Sequence, residues 1–441
     1  MTDKLKMSFS PRTIEHLGVK MYSNVPNALA ELIANAYDAA ADNVYIKLYD
    51  KNEDKKIIIS DDGIGMSFEE INNKFLYIGR NRREDEDIIN EKGRPVTGKK
   101  GLGKLALFGI GNEIKIQTAK KGTGKEIEFY LNWNEIKSKN SGEYEPPSKT
   151  YDVPLSKQGT TITLSQLNRK SKFDKEEMSG SISKLFQFND AGFKIFISRN
   201  DDEKKIIDNQ LKYSNLEEQF VWNFPEYSKN IDSSYSEKTK ITGKIITTPK
   251  PLKPGMRGVT LFAKGRLANA PEFFGASESS HGYSYMTGWL NVDFIDDWEE
   301  ELISTSRQSL NWDMEPAENL RDFLLKIMRL IEKDWRTQKK EAAKKTAQED
   351  TGIDVKGWVE KLPDEKNIRK NVEAIIEIAT ESTLDKEDVK EIIQVTHSLV
   401  PEYPQYHWRH LHPNIQKYTK VEYENEDYYH AAKEAVNMYQ E

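Results

Sequence analysis

Positions 31–38 read ELIANAYD, inside an Ala-, Leu- and Ile-rich run from Asn24 to Ala41. The run predicts a helix. Glu31 and Asn35 stand four residues apart and Asp38 three further, so on a helix all three share one face. Leu32, Ile33, Ala36 and Tyr37 are left as the packing face. A carboxylate and an amide in line suit a hard cation and a positioned water. Asn35 can offer an oxygen to Mg2+, and Glu31 can take a proton from the water. Taken alone, such a stripe is more often a solvated helix face.

Two short strand-like runs follow, VYIKLY (44–49) and KIIIS (56–60). The second leads into SDDGIGM (60–66), where Asp61 and Asp62 precede Gly63, Gly65 and Met66. Glycines let backbone approach a ligand closely. A buried carboxylate there can accept a hydrogen bond from an exocyclic amine such as adenine's, although a plain turn explains the same letters. Residues 79–101 are charged and poor in large apolar groups, and a loop of that length is functional or mobile. Then comes TGKKGLGKLALFGIG (97–111), with Gly98, Gly101 and Gly103 ahead of a predicted helix. Backbone N–H groups so placed can hold phosphate. Gly98 to Lys104 imitates the opening of a P-loop, but Leu105 stands where Ser or Thr would bind Mg2+ and no apolar strand precedes it, so that reading fails. EIKIQTA, KEIEFYLNW, GTTITLSQL (159–167) and FKIFISRN are further predicted strands.

Taken in order, Glu31-x-x-x-Asn35-x-x-Asp38, Asp61-x-Gly63-x-Gly65, the long loop, the glycine-rich segment and GTTITLSQL resemble the GHKL ATPases over about the first 190 residues. That family takes in gyrase, the ninety-kilodalton heat-shock chaperones, histidine kinases, MutL and MORC proteins. The resemblance implies a Bergerat fold, with ATP between helices and one face of a mixed sheet. It implies Glu31 as general base, Asn35 as Mg2+ ligand and Asp61 as adenine reader, with Asp38 supporting the adenine through water. Gly65 would lie beside the base, and Gly101, Leu102, Gly103 and Lys104 along the phosphates. Gly63, Met66, Gly98, Lys100 and Thr161 complete the implied nucleotide contacts. IGRNRR (78–83) looks most like the prokaryotic MORC-like branch. Only about 23 residues, with a single His16, precede the first helix, so the phosphoacceptor helix of a histidine kinase is not expected. Further on, ISTSRQSLNWD (303–313) resembles the chaperone segment whose Arg reaches the γ-phosphate. Arg307 is the candidate for that role. Gln308 is a weaker one, and Lys264 and Arg266 in FAKGRLA are the other available cations.

The 441 residues are enough for two to four domains. An α+β class is expected, in three parts: an ATPase domain over 1–205, a transducer-like α/β domain over 206–348, and a helical region over 349–441. A long helix from Pro316 to about Thr346 would close the second part. Its basic end, RTQKKEAAKK (336–345), reads as a solvated helix end or, as a minority reading, a phosphate-backbone contact. The third part weakly resembles the Ymh-type domain from HWRHLHPNIQ onward, and His407, His410 and His412 read there as structural or surface groups. The last helix carries no stop signal and leaves room for further chain. The absence of Cys excludes disulfides, cysteine–zinc sites, iron–sulfur clusters and thiol nucleophiles. The net charge of −7 argues against a general nucleic-acid coat. No run approaches ~18 apolar residues and no apolar leader is present, so no membrane association and a cytoplasmic location are expected. The functional expectation is an ATP-hydrolysing, ATP-dependent homodimeric clamp on double-stranded DNA or a DNA-bound protein, in anti-phage defence or genome maintenance. The alternatives are a nucleotide-gated sensor or scaffold that recruits an effector protein through the C-terminal region, and a chaperone-like remodeller.

Overall fold

The computed structural model describes residues 24–51, 55–78, 89–96, 107–138, 144–187, 192–213, 216–277, 280–304, 307–362, 367–381, 386–400 and 407–440. They fall into two compact units divided after Ile327.

In the first unit, α1 (Val25–Asp38) opens with Pro26 in its first turn, where a missing N–H removes no helical bond. It buries Ala28, Leu29, Leu32, Ile33 and Ala36 and leaves Asn27, Glu31, Asn35 and Asp38 on a partly open stripe. β1 (Asn43–Tyr49) and β2 (Lys56–Asp61) pair antiparallel, Val44 opposite Asp61. A capping box from Ser67 to Glu70 starts a helical turn that runs on as a π turn, Ile71–Phe75. Then come β3 (Gly111–Ala119), β4 (Lys125–Asn132), β5 (Ser148–Asp152) and β6 (Gly159–Leu167). α2 (Lys175–Ser183), β7 (Lys194–Arg199) and β8 (Lys205–Ile207) complete the layer.

The strand order is β5-β4-β3-β6-β2-β1-β7-β8. Among the described strands of this sheet only β1 and β7 pair parallel, so the sheet is mixed. Its apolar face and the buried faces of α1 and α2 form one cluster, with Leu29 and Ile33 of α1, Ile46, Ile57, Ile116 and Leu164 of the sheet, and Ile182 of α2. The helix expected from LALFGIG is corrected where it is described. Leu107–Gly109 is a single 3-10 turn, and the chain enters β3 at Gly111.

A second mixed sheet has the order β12-β11-β13-β10-β9. Its strands are β9 (Phe220–Phe224), β10 (Thr242–Thr247), β11 (Gly258–Ala263), β12 (Arg266–Glu272) and β13 (Met286–Asn291). GVTLFAKGRLA is a hairpin, turning at Lys264 and Gly265, which both have positive φ (48° and 77°), as a tight right-twisted hairpin requires. The hairpin tip is tied to the segment after α2. Gln187 N donates to Gly265 O at 2.8 Å, and Leu267 N to Leu185 O at 3.0 Å.

The long helix is α3 (Glu315–Thr351). The second unit is helical: α4 (Val355–Glu360), α5 (Ile368–Glu381), α6 (Lys386–Leu399), α7 (Pro413–Glu424) and α8 (Tyr428–Gln440) follow. Trp358 anchors its core with Val372, Ile376 and Ile393 and donates its indole N–H to Val400 O at 2.7 Å. His412 caps α7, its ring nitrogen accepting from Asn414 N at 3.3 Å. Among the described residues no helix is long and apolar enough to cross a membrane.

Candidate functional site

A cavity of about 210 Å³ opens between the polar stripe of α1 and the ends of β2 and β6. Asn35 and Asp38 enter it from α1, Asp61 from the end of β2, and Gly65 and Met66 from the turn beyond. Leu32, Ile59, Ile64, Phe75 and Ile162 supply an apolar wall against which a flat base can lie. Gly65 has φ +65°, and a Cβ there would stand 2.0 Å from Ala119 O. Gly159, opposite, has φ +106° and would press a Cβ to 2.1 Å from Asp61 O. Both positions need glycine for close backbone approach, and both fix the backbone around Asp61.

The adjacent aspartates have opposite environments. Asp61 accepts from Gly63 N at 3.0 Å, yet burial pushes its carboxyl up to about 6 against its Gly63 and Thr160 backbone bonds, with Asp62 adding a smaller push. Asp62 accepts from Asp42 N (2.7 Å), Asn43 N (2.9 Å) and Asn43 Nδ2 (2.7 Å). Burial opposes ionisation there too, but these bonds hold it below the ordinary carboxylate range. Asp62 therefore ties the start of β1, while Asp61 keeps acceptor capacity facing the cavity. Behind Asp61, the Thr118 hydroxyl accepts from Met66 N at 3.0 Å and lies 3.0 Å from the Thr160 hydroxyl.

Glu31 lies one turn before Asn35 on the same stripe and does not line the cavity. Arg266, at the start of β12 and only 5 % exposed, donates to its carboxylate at 2.5 Å. Arg307 is close to this pair. It has φ +55°, donates weakly to Leu267 O at 3.5 Å, and is pushed down to about 10, by burial first and then by Arg266, with Asp296, Glu31 and Glu301 pulling the other way. Of the three cations named from the sequence, Arg266 is the one bonded to Glu31. Lys264 turns to Asp297 at 3.1 Å.

Other expectations need correction or lie elsewhere. Thr160 and Ile162 line the cavity, whereas Thr161 is the alternate residue of β6 and faces the other side. Gly63 acts through its N–H and is not in the wall. Gly98, Lys100, Gly101, Leu102, Gly103 and Lys104 lie outside the described residues. Within the 79–101 stretch, the described residues 89–96 are built onto α1. Asn90 Nδ2 donates to Tyr37 O at 2.9 Å, buried Arg94 bonds Ala41 O and lies 5.0 Å over the Tyr37 ring, and Val96 reaches the cavity wall. Glu70 and Lys74 also line the cavity. Sequence reasoning missed them, although the Ser-x-x-Glu capping box at 67–70 was a readable helix start.

The donor set fits an adenine nucleotide: an apolar slot, a carboxylate at its end and a close-approach glycine. Asn35 offers one hard oxygen, which suits a Mg2+ held otherwise by phosphate and water. Residues 22–161 match the family model of histidine kinase-, DNA gyrase B- and HSP90-like ATPases. That part of the chain, with the sheet and helices described, is a GHKL-type ATPase domain. Among curated proteins, the chain is similar to a Herpetosiphon aurantiacus protein named "Putative type II restriction enzyme HgiDII", at 29 % identity over 76 % of this chain and 57 % of that one. It is also similar to chaperone protein HtpG of Oceanobacillus iheyensis, at 29 % identity over 33 % of this chain and 24 % of the chaperone. HtpG of Sulfurimonas denitrificans aligns at 25 % identity over 65 % of this chain and 48 % of the chaperone. The chain thus spans little more than half of the first relative's length and less of the chaperones'.

Proposed function

We propose that the chain is a Mg2+-dependent ATPase of the MORC-like branch, working in the cytoplasm as an ATP-gated dimeric clamp on double-stranded DNA or a DNA-bound partner. The observation that carries this reading is the Arg266–Glu31 ion pair between the second sheet and α1. Glu31 takes a proton from the attacking water only after exchanging Arg266 for that water. Hydrolysis is thereby tied to movement of the second sheet, which is the requirement of a machine rather than of a simple hydrolase. Asp61 accepts from the adenine amine, Asp38 supports it through water, and Asn35 would hold Mg2+. Mg2+, when bound, neutralises phosphate charge. Arg307 moves to the γ-phosphate as Arg266 leaves Glu31. The division into 1–205, 206–348 and 349–441 assigns these steps to the first two parts.

DNA as the target, in anti-phage defence or genome maintenance, is supported by the relative named a restriction enzyme. A second reading, a nucleotide-gated scaffold that recruits an effector, is favoured by the helical residues after Ile327 forming a compact unit of their own. Steady-state ATP hydrolysis by wild type and Glu31→Ala, with and without double-stranded DNA and with mass by light scattering, tests both. The clamp requires turnover that falls ~100-fold or more in the variant, rises with DNA and accompanies an ATP-dependent dimer. Turnover that ignores Glu31 would refute the assigned base, and turnover that ignores DNA would favour the scaffold.

A further inference from the structure

A second cavity, about 280 Å³, lies in the first unit and shares no wall residue with the first. Its volume is just below the usual range for ligand pockets (~300–1,000 Å³), which suits a small ligand. Its charge is opposite to that of the nucleotide cavity. Asp38, Asp61 and Glu70 outnumber Lys74 in the latter, whereas Lys184 and Lys212 are, among the described residues, the only charged ones lining the former. Lys212 is 5 % exposed. Its ammonium donates to Gln187 Oε1 at 2.5 Å and to Asn209 Oδ1 at 3.3 Å, and it lies 4.5 Å from the centre of the Phe262 ring. These are neutral partners. Asp208, the nearest carboxylate in sequence, is used in capping the turn that carries Lys212. A buried cation held, among the described residues, by neutral groups is costly, and burial pushes this ammonium down to about 7.

We propose that this cavity is a ligand site for a small organic anion, its acidic head on Lys212 and its apolar body against Met256, Phe262 and Leu267. The anion supplies the charge that the protein withholds; Tyr213, Thr260 and Thr287 also line the cavity, with the Tyr213 hydroxyl donating to Gly288 O and that of Thr287 to Gly258 O. Leu267 and Gln308 of the wall adjoin Arg266 and Arg307. An occupant therefore lies against Leu267, the residue next to the Arg266 that holds Glu31.

The test is fluorine NMR of para-fluorophenylacetate titrated into the full chain, with the neutral para-fluorophenylacetamide as comparison. Saturable binding of the acid in the ~1 mM range is expected, with none for the amide. Lys212→Met, which keeps the apolar stem, should weaken the acid at least ~10-fold. Ala270→Phe, which fills the cavity and leaves the lysine, should abolish binding. Circular dichroism and thermal melting check both folds without reference to ATP. If Lys212→Met fails to fold, Ala270→Phe and the amide still decide the matter. Equal binding of acid and amide, binding unchanged in either folded variant, or no saturable binding up to ~10 mM overturns the proposal.

Discussion

Replacing Asp61 by Asn should make the protein more stable and the nucleotide site weaker. Asp61 is held at about 6, against 3.8 for an unhindered aspartate. A carboxyl raised on folding contributes stability that is fully present below the unfolded value and is lost as pH rises through the folded one. The gap corresponds to ~3 kcal/mol between the acid and neutral ends. Water in the open cavity screens part of it, so ~1–2 kcal/mol is the expected gain for the variant near neutral pH. The amide of Asp61→Asn carries no charge at any pH, so the gain should shrink to nothing as pH falls below the unfolded value of 3.8. Its side-chain oxygen can still accept from Gly63 N, which keeps the turn. Nucleotide affinity should move the opposite way. Losing a charged acceptor for the adenine amine removes ~1.5–3 kcal/mol, roughly a 10- to 100-fold loss. Urea unfolding at several pH values and calorimetric titration with ADP measure the two effects. A variant less stable than wild type at neutral pH, or a stability difference that does not vary with pH, would refute the assignment of Asp61 as a desolvated, ligand-facing carboxyl.

The Arg266–Glu31 pair should show strong coupling. Arg266→Met should cost ~2–4 kcal/mol because it strands Glu31, and adding Glu31→Gln should restore most of it; a double-mutant coupling under ~0.5 kcal/mol in urea unfolding would show that the pair is not a clamp. The two threonines of β6 should separate cleanly. Thr160→Val breaks the hydroxyl contact with Thr118 and should weaken ADP binding several-fold, about 1 kcal/mol, while Thr161→Val leaves it unchanged. The reverse pattern in the same titration would restore Thr161 to the site.

The polar stripe of α1 was legible because a helical period places Glu31, Asn35 and Asp38 together on an otherwise apolar element. The central strands were legible for the same reason, through alternation. β5 was not, because SKTYD is exposed along its whole length and an edge strand without a buried face carries no alternation signal. Asp61 and Asp62 look alike as letters. They separate only when Asn43, brought alongside by the β1–β2 pairing, consumes one of them. Thr161 was misassigned by a single position, and in a strand one position is the whole difference between faces. Arg266 was visible only as one of several cations. Its partner is 235 residues away in sequence, and no local pattern reports a contact of that kind.

That contact also explains why α1 carries four polar residues rather than the three the chemistry names. Asn27, Glu31, Asn35 and Asp38 follow one another at helical spacing. Asn27 lines the Lys212 cavity, and Asn35 and Asp38 line the nucleotide cavity. Glu31 stands between them, in neither wall, held by Arg266. A rigid helix cannot move Glu31 without disturbing both ends, but the β11–β12 hairpin can. Its tip is fastened to Leu185 and Gln187 by two backbone hydrogen bonds, each worth ~1 kcal/mol net. On the proposed reading a ligand in either cavity would bear on the release of Glu31: one from the phosphate side, through Arg307, and the other through Leu267, the residue next to Arg266.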